Sequence, residues 1–182
     1  NVLIIMLDDA GYSSATSYGG VMRTPTFDRL GDEGIRYTHM SVAAVCSPTR
    51  GSLLTGYNIH QIGTGIISEF ATGYPGYNSQ IDYTTPSIAR ILTSNGYATA
   101  AFGKWHLGDI PGRFPTDQGF DEFFGVLNTT DEAEYSSQIG FDPDVMPVPH
   151  IQESVRGGEL KQVKPFDLTT RRTIDGELTE KA

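Results

Sequence analysis

Thr85-Pro-Ser-Ile-Ala-Arg-Ile-Leu-Thr-Ser-Asn-Gly-Tyr-Ala-Thr-Ala-Ala-Phe102 reads as a helix, its stop and the strand that follows it. Thr85-Pro86 opens the helix, because proline lacks the N–H that a first turn leaves unpaired anyway. Ile88, Ile91 and Leu92 fall on one side of it, and Asn95-Gly96 closes it. Tyr97 to Phe102 then suits a buried strand. Gly103-Lys104-Trp105-His106-Leu107-Gly108 follows at that strand's carboxyl end, where open α/β sheets gather ligands. In an extended stretch Lys104 and His106, two apart, share one face while Trp105 turns to the other. One face is cationic and the other packs.

Upstream the same order recurs. Asn1-Val-Leu-Ile-Ile-Met-Leu-Asp8-Asp9-Ala-Gly11-Tyr12 is a continuous apolar run stopped by two acids and a glycine. It reads as a strand buried on both faces, with Asp8 and Asp9 at its end. Adjacent carboxylates repel, so a positive partner belongs beside them, and hard oxygen donors suit calcium or magnesium. Thr24-Pro25 opens a helix through Phe27 and Leu30 that Gly34 ends, and Ile35 to Met40 suits a further strand. Alternation of this kind favours a mostly parallel sheet with helices on both faces, an α/β fold.

Val45-Cys46-Ser47-Pro48-Thr49-Arg50 leads into Leu53-Leu54-Thr55-Gly56. Ser47 can serve as N-cap, Pro48 suits the first helical position, and Gly56 supplies a left-handed stop. Cys46 therefore sits at a helix N-terminus, where N–H groups and the dipole favour an anion, and Arg50 can point back towards the same space. A lone cysteine is more commonly a small buried hydrophobe; its neighbours argue for chemistry instead.

Cys46, Pro48 and Arg50 with Leu53 to Gly56 resemble the signature of the type I, formylglycine-dependent sulfatases. The strand ending in Asp8-Asp9 and the Gly103-Lys104-Trp105-His106 segment resemble that family's other motifs, in the same order. Gly63-Thr64-Gly65 resembles bacterial arylsulfatases. The resemblance is close over Asn1 to Gly125 and weak beyond. It implies an alkaline-phosphatase-like α/β fold and a sulfuric ester hydrolase. It implies that Cys46 is oxidised to Cα-formylglycine by a formylglycine-generating enzyme, and that its hydrate attacks sulfur. Asp8, Asp9 and the modified Cys46 are then metal ligands, with Ca2+ expected ahead of Mg2+. Arg50, Lys104 and His106 are then catalytic, with Lys104 and His106 touching the sulfate and the formylglycine. The small-molecule partner is a sulfate ester, and the setting is periplasmic or secreted. The later Asp-Asn pair, histidine and lysine of full sulfatases match no residue here. Two alternatives are a formylglycine phosphonate monoester or phosphodiester hydrolase of the same fold, and a silent α/β fragment that only binds.

The 182 residues, 38% of them apolar, can bury one substantial core. A net charge of -9 with no basic cluster beyond Arg171-Arg172 disfavours a nucleic-acid surface. One cysteine excludes an intrachain disulfide. The longest apolar stretch, Val2 to Leu7, is far short of the roughly 20 residues that span a bilayer. Gly56 to Tyr83, rich in Gly and Tyr, suits a pocket wall or lid. Asn128-Thr129-Thr130 is a glycosylation sequon by pattern alone. Residues 1–126 read as the N-terminal part of a catalytic domain. Residues 127–182, with four prolines up to Pro165, read as a surface excursion of the same domain, with a helix restarting near Thr169 and Ile174 and Leu178 on one side of it.

Overall fold

A computed structural model describes residues 1–182, which form two compact units, 1–46 and 47–182. The boundary falls at the start of a helix, Cys46–Thr55.

In residues 1–46 the regular structure is a 3-10 turn, Thr16–Tyr18, and helix α1, Pro25–Glu33, which starts on the proline as the sequence predicts. Thr16 joins them: its hydroxyl donates to both carboxylate oxygens of Asp28, at 2.9 and 2.8 Å. The expected strands over Val2–Leu7 and Ile35–Met40 do not form. Val2, Leu3, Ile4 and Ile5 are all more than half exposed, and Ile35, Tyr37 and Met40 are exposed as well. A strand exists through its ladder, and the one strand-type pairing in this unit is a bridge between Ala15 and Met22. The apolar run has the side chains of a buried strand but forms none.

Residues 47–182 are built on a four-stranded sheet, in the order β1-β2-β3-β4. The strands are β1 (Ala100–Lys104), β2 (Glu122–Val126), β3 (His150–Val155) and β4 (Lys161–Pro165). β1 and β2 are parallel, while β2–β3 and β3–β4 are antiparallel. β1 begins three residues later than its pattern predicts, leaving Tyr97 half exposed, and it carries Lys104 as its last residue. The β3–β4 hairpin replaces much of the expected surface excursion. Its strands are short and polar, with Ile151 and Ser154 the buried residues of β3, so hydrophobic periodicity does not betray them.

Glycine permits the β1–β2 contact. Gly103 faces Gly125 across the pair, and a Cβ on Gly125 would collide with the backbone of Gly103. Gly103 and Gly125 both have positive φ, 106° and 159°.

Adjacent residues of β2 feed two cores, as strand alternation requires. Phe124 and Val126 pack with Ala133, Ile151, Phe166 and Ile174. Helices α4 (Leu168–Arg171) and α5 (Ile174–Lys181) form where the sequence predicts a restart, and Leu178 joins Ile174 on this core. Phe123 packs on the opposite side with Ile81, Trp105, Leu107 and Leu127. Burying each of these large side chains is worth about 1.5–3 kcal/mol. Trp105 is fixed further by donating from Nε1 to the Arg113 carbonyl at 2.9 Å.

Candidate active site

Helix α2, Cys46–Thr55, stops at Gly56 with φ 73°, as predicted. Its start differs by one residue. Cys46 is the first helical residue, and Ser47 lies inside the first turn, fully buried, with no hydrogen-bond partner for Oγ. Ser47 is therefore not the N-cap. The helical turn begins ahead of it and leaves its hydroxyl unsatisfied, a cost of order 1–3 kcal/mol. Helix α3, Ile88–Ser94, is capped by Ser87, whose hydroxyl accepts from the Arg90 N–H, rather than by Thr85.

Arg50, one turn into α2, reaches the end of β1. Its Nε donates to the Trp105 carbonyl at 2.7 Å, and Nη2 donates to the Lys104 carbonyl. The sequence points this guanidinium towards an anion. In the structure two of its nitrogens also grip the backbone beneath Lys104 and His106.

The β1 ladder continues past the strand. Trp105 N–H donates to Val126 O at 2.8 Å and His106 N–H to Leu127 O at 2.7 Å. His106 then leaves the extended region, with φ 55°. The simple alternation expected of Lys104 and His106 holds only as far as Trp105. A non-glycine residue in the left-handed region costs of order 1–2 kcal/mol and persists where its surroundings fix it. His106 is fixed: its side chain is 1% exposed, and Nε2 lies 3.1 Å from Glu69 Oε2 and 3.2 Å from Ser68 Oγ.

Glu69 and Ser68 come from a 3-10 turn, Ser68–Phe70, within the Gly/Tyr-rich segment that the sequence assigns to a pocket wall. That segment is anchored by Ser79 Oγ donating to Ile66 O at 2.9 Å, by the His60–Tyr77 side-chain hydrogen bond at 2.9 Å, and by buried Ile62 and Thr64. Sequence reasoning missed both side chains. The available signal was slight: Glu69 is the only acid between Glu33 and Asp82.

Burial, and then the charge of Lys104, hold the His106 pKa below its ordinary value against the opposing pull of Glu69. Burial raises Glu69, but a backbone hydrogen bond and His106 bring it net below the usual glutamate value. Near neutral pH the pair is a neutral imidazole against a carboxylate. Further acids stand nearby. Asn128 Nδ2 donates to Asp109 Oδ2 at 3.3 Å and to Glu132 Oε1 at 3.2 Å. Burial first, and then Glu69 and Asp109, push Glu132 up to about 7.

Asp8 and Asp9 lie in an exposed bend after the apolar run, Asp9 with φ 53°. Their oxygens are the right chemistry for a hard cation. No group of three or more His, Cys, Asp or Glu side chains able to hold a metal ion occurs in the structure. Calcium takes about six to eight oxygens, so these residues do not by themselves make a complete site.

The Sulfatase family profile matches residues 1–181, including the stretch after Gly125 where the motifs fade. An arylsulfatase of Klebsiella aerogenes is 33% identical over 129 residues, covering 70% of this chain and 28% of that protein. A steryl-sulfatase of Mus musculus is 38% identical over 141 residues, covering 71% of this chain and 22% of its own. An uncharacterised sulfatase of Schizosaccharomyces pombe is 39% identical over 134 residues, 70% of this chain and 24% of that one. The chain thus spans about a quarter of the length of these relatives. The crystal structure of a sulfatase from Pseudoalteromonas sp. superposes with a TM-score of 0.78 at 24% identity, over 97% of this chain and 38% of that one, which establishes the fold. No helix here is long and apolar enough to cross a membrane. With the profile spanning nearly every residue, this chain belongs to the sulfatase family and has its alkaline-phosphatase-like α/β fold.

Proposed function

We propose that the protein to which this chain belongs hydrolyses sulfate esters, of arylsulfatase type, through a formylglycine derived from Cys46. The observation that carries this reading is the grouping of Arg50, Lys104 and His106. The Arg50 guanidinium holds the carbonyls of Lys104 and Trp105, so the positions that resemble the family's catalytic motif converge on one strand end. The relatives named arylsulfatase and steryl-sulfatase support the substrate class.

Each group has a defined task. The formylglycine hydrate carries two hydroxyls on one carbon. One oxygen attacks sulfur as the ester S–O bond breaks, the alcohol leaves with a proton, and the sulfuryl group stays on the enzyme. The Lys104 ammonium stabilises charge on the sulfuryl oxygens. Arg50 holds the strand end that carries Lys104 and His106. His106 accepts the proton of the second hydroxyl, so the C=O forms, the C–O bond to sulfate breaks, and sulfate departs. Water then regenerates the hydrate.

Asp8, Asp9 and the oxidised Cys46 are proposed as part of a Ca2+ shell that these residues do not complete by themselves. No step above is routed through the cation. When bound, it supplies charge that favours an ionised hydroxyl. A formylglycine-generating enzyme is the maturation partner.

The deciding experiment is the mass of the tryptic peptide Tyr37–Arg50 from protein made with a formylglycine-generating enzyme. The thiol-to-aldehyde mass loss at Cys46 is expected. An unmodified thiol would overturn the reading and favour a silent binding fragment. Faster turnover of phosphonate monoesters or phosphodiesters than of sulfate esters would favour the other hydrolase class.

A further inference from the structure

We propose that Glu69, assisted by Ser68, is a positioning residue that fixes His106 as the tautomer protonated on Nε2 and so places its lone pair on Nδ1.

This inference rests on the sulfatase reading for its kinetic consequence, but its chemical core does not. Nε2 of His106 meets two groups, Glu69 Oε2 at 3.1 Å and Ser68 Oγ at 3.2 Å. An ionised carboxylate has no proton to give, so at that short distance Nε2 must be the donor. A serine hydroxyl adapts to either tautomer and cannot decide. In a neutral imidazole the second nitrogen then carries the lone pair. The ring has little freedom to choose otherwise: it is 1% exposed, its backbone is left-handed, and its N–H is tied to Leu127.

The charges beside the ring keep it neutral and draw its one proton towards Glu69. Lys104 and Arg50, on β1 and α2, act against a second proton on His106, while Glu69 on the 3-10 turn draws a proton towards Nε2. Metal-bound histidines are commonly oriented in this way by a carboxylate on the far nitrogen. The proton that His106 accepts when the hemiacetal collapses would therefore be received at Nδ1. It comes from the second hydroxyl of the formylglycine carbon, the O–H electrons become the new C=O, and sulfate leaves with its electron pair.

The test uses full-length protein matured with a formylglycine-generating enzyme, as wild type and as Glu69→Ala, Glu69→Gln, Glu69→Asp and Ser68→Ala. Formylglycine content is measured by mass. The tautomer is read by selective 15N-histidine NMR, on the signal that His106→Gln removes. Wild type should show Nε2–H. Glu69→Ala should lose about ten- to a hundredfold in kcat with KM within about twofold, and its His106 signal should move to a mixture of tautomers. Glu69→Asp should restore part of both losses. Glu69→Gln should fall between, because an amide oxygen still accepts but carries no charge. Ser68→Ala, which keeps the carboxylate, should retain the tautomer even if Glu69→Ala fails to fold. A wild-type His106 protonated on Nδ1 would overturn the proposal. So would a Glu69→Ala protein whose kcat falls without a change of tautomer, since that is a loop-packing effect, or one whose tautomer changes without loss of kcat. Failure of the sulfatase reading looks different: fully matured wild type would turn over no sulfate ester while the tautomer measurement still stood.

Discussion

Arg50 Nε donates to the Trp105 carbonyl at 2.7 Å, tying the second turn of α2 to the end of β1. With Nη2 on the Lys104 carbonyl, the guanidinium spans two consecutive backbone acceptors. A planar fork suits that arrangement and an ammonium does not. Arg50→Lys keeps the charge and loses the fork. It should lower stability by about 1.5–3 kcal/mol, the range for hydrogen bonds from charged groups, and lower kcat in full-length enzyme by displacing Lys104 and His106. Urea denaturation with an unchanged midpoint would show that the fork carries no weight.

The closeness of β1 and β2 makes a second prediction. Gly125→Ala places a methyl group against the backbone of Gly103, which cannot rotate away as a side chain could. The strands must separate or lose register, and Phe123 and Phe124 face separate cores from the same strand. A loss of about 2–4 kcal/mol is expected, typical of overpacking combined with backbone strain. Gly176→Ala is the control. That glycine lies in α5 with open space around its Cβ position, and alanine there should be neutral or stabilising by up to about 1 kcal/mol. Equal effects at the two positions in thermal melts would refute the steric argument.

What could be read from the sequence was local. Pro25, Gly56 and Asn95-Gly96 mark helix ends because caps and stops are decided within a few residues. Lys104 and His106 were legible as a pair beside a packed tryptophan, although burial keeps His106 neutral where the sequence suggested a cationic face. What could not be read depends on partners far along the chain. Val2–Leu7 has the composition of a buried strand, yet composition does not provide a ladder. His150–Val155 and Lys161–Pro165 form one despite polar sequences, and the Gly157-Gly158 turn was their clearest signal. Glu69 reaches His106 across 37 positions with no motif spacing to announce it.

Glu132 makes stability depend on pH. Its folded-state pKa, pushed by burial to about 7, lies above the usual 4.5. Between those values the folded chain keeps a proton that the unfolded chain has lost, so this group's contribution to stability falls as pH rises from 4.5 to 7 and stays lost above it. Glu132→Gln is neutral throughout and keeps an acceptor for Asn128. After discounting for solvent screening, the variant should gain roughly 1–2 kcal/mol over wild type at pH 8 relative to pH 5. His106 titrates with the opposite sign, since its lowered pKa makes stability rise with pH. The informative quantity is therefore the difference between the two proteins. Parallel pH profiles of denaturant midpoints would show that Glu132 is not strained.

On the proposed formylglycine mechanism, Cys46→Ser separates attack from release. A serine oxygen is one hydroxyl on a saturated carbon, where the formylglycine hydrate has two oxygens on one carbon. If serine accepts the sulfuryl group, it forms an ordinary alkyl sulfate. No second hydroxyl remains to surrender a proton to His106, so no carbonyl can form to expel the sulfate. Full-length Cys46→Ser should release at most one equivalent of alcohol and then stop, with a sulfate mass retained on the Tyr37–Arg50 peptide. Multiple turnover by the serine variant would show that release does not use the second oxygen, and the role assigned to His106 would fall with it. No burst and no retained mass would mean that serine is too weak a nucleophile here. In that case His106→Ala in the formylglycine enzyme becomes the deciding variant, and it should accumulate the sulfated hydrate.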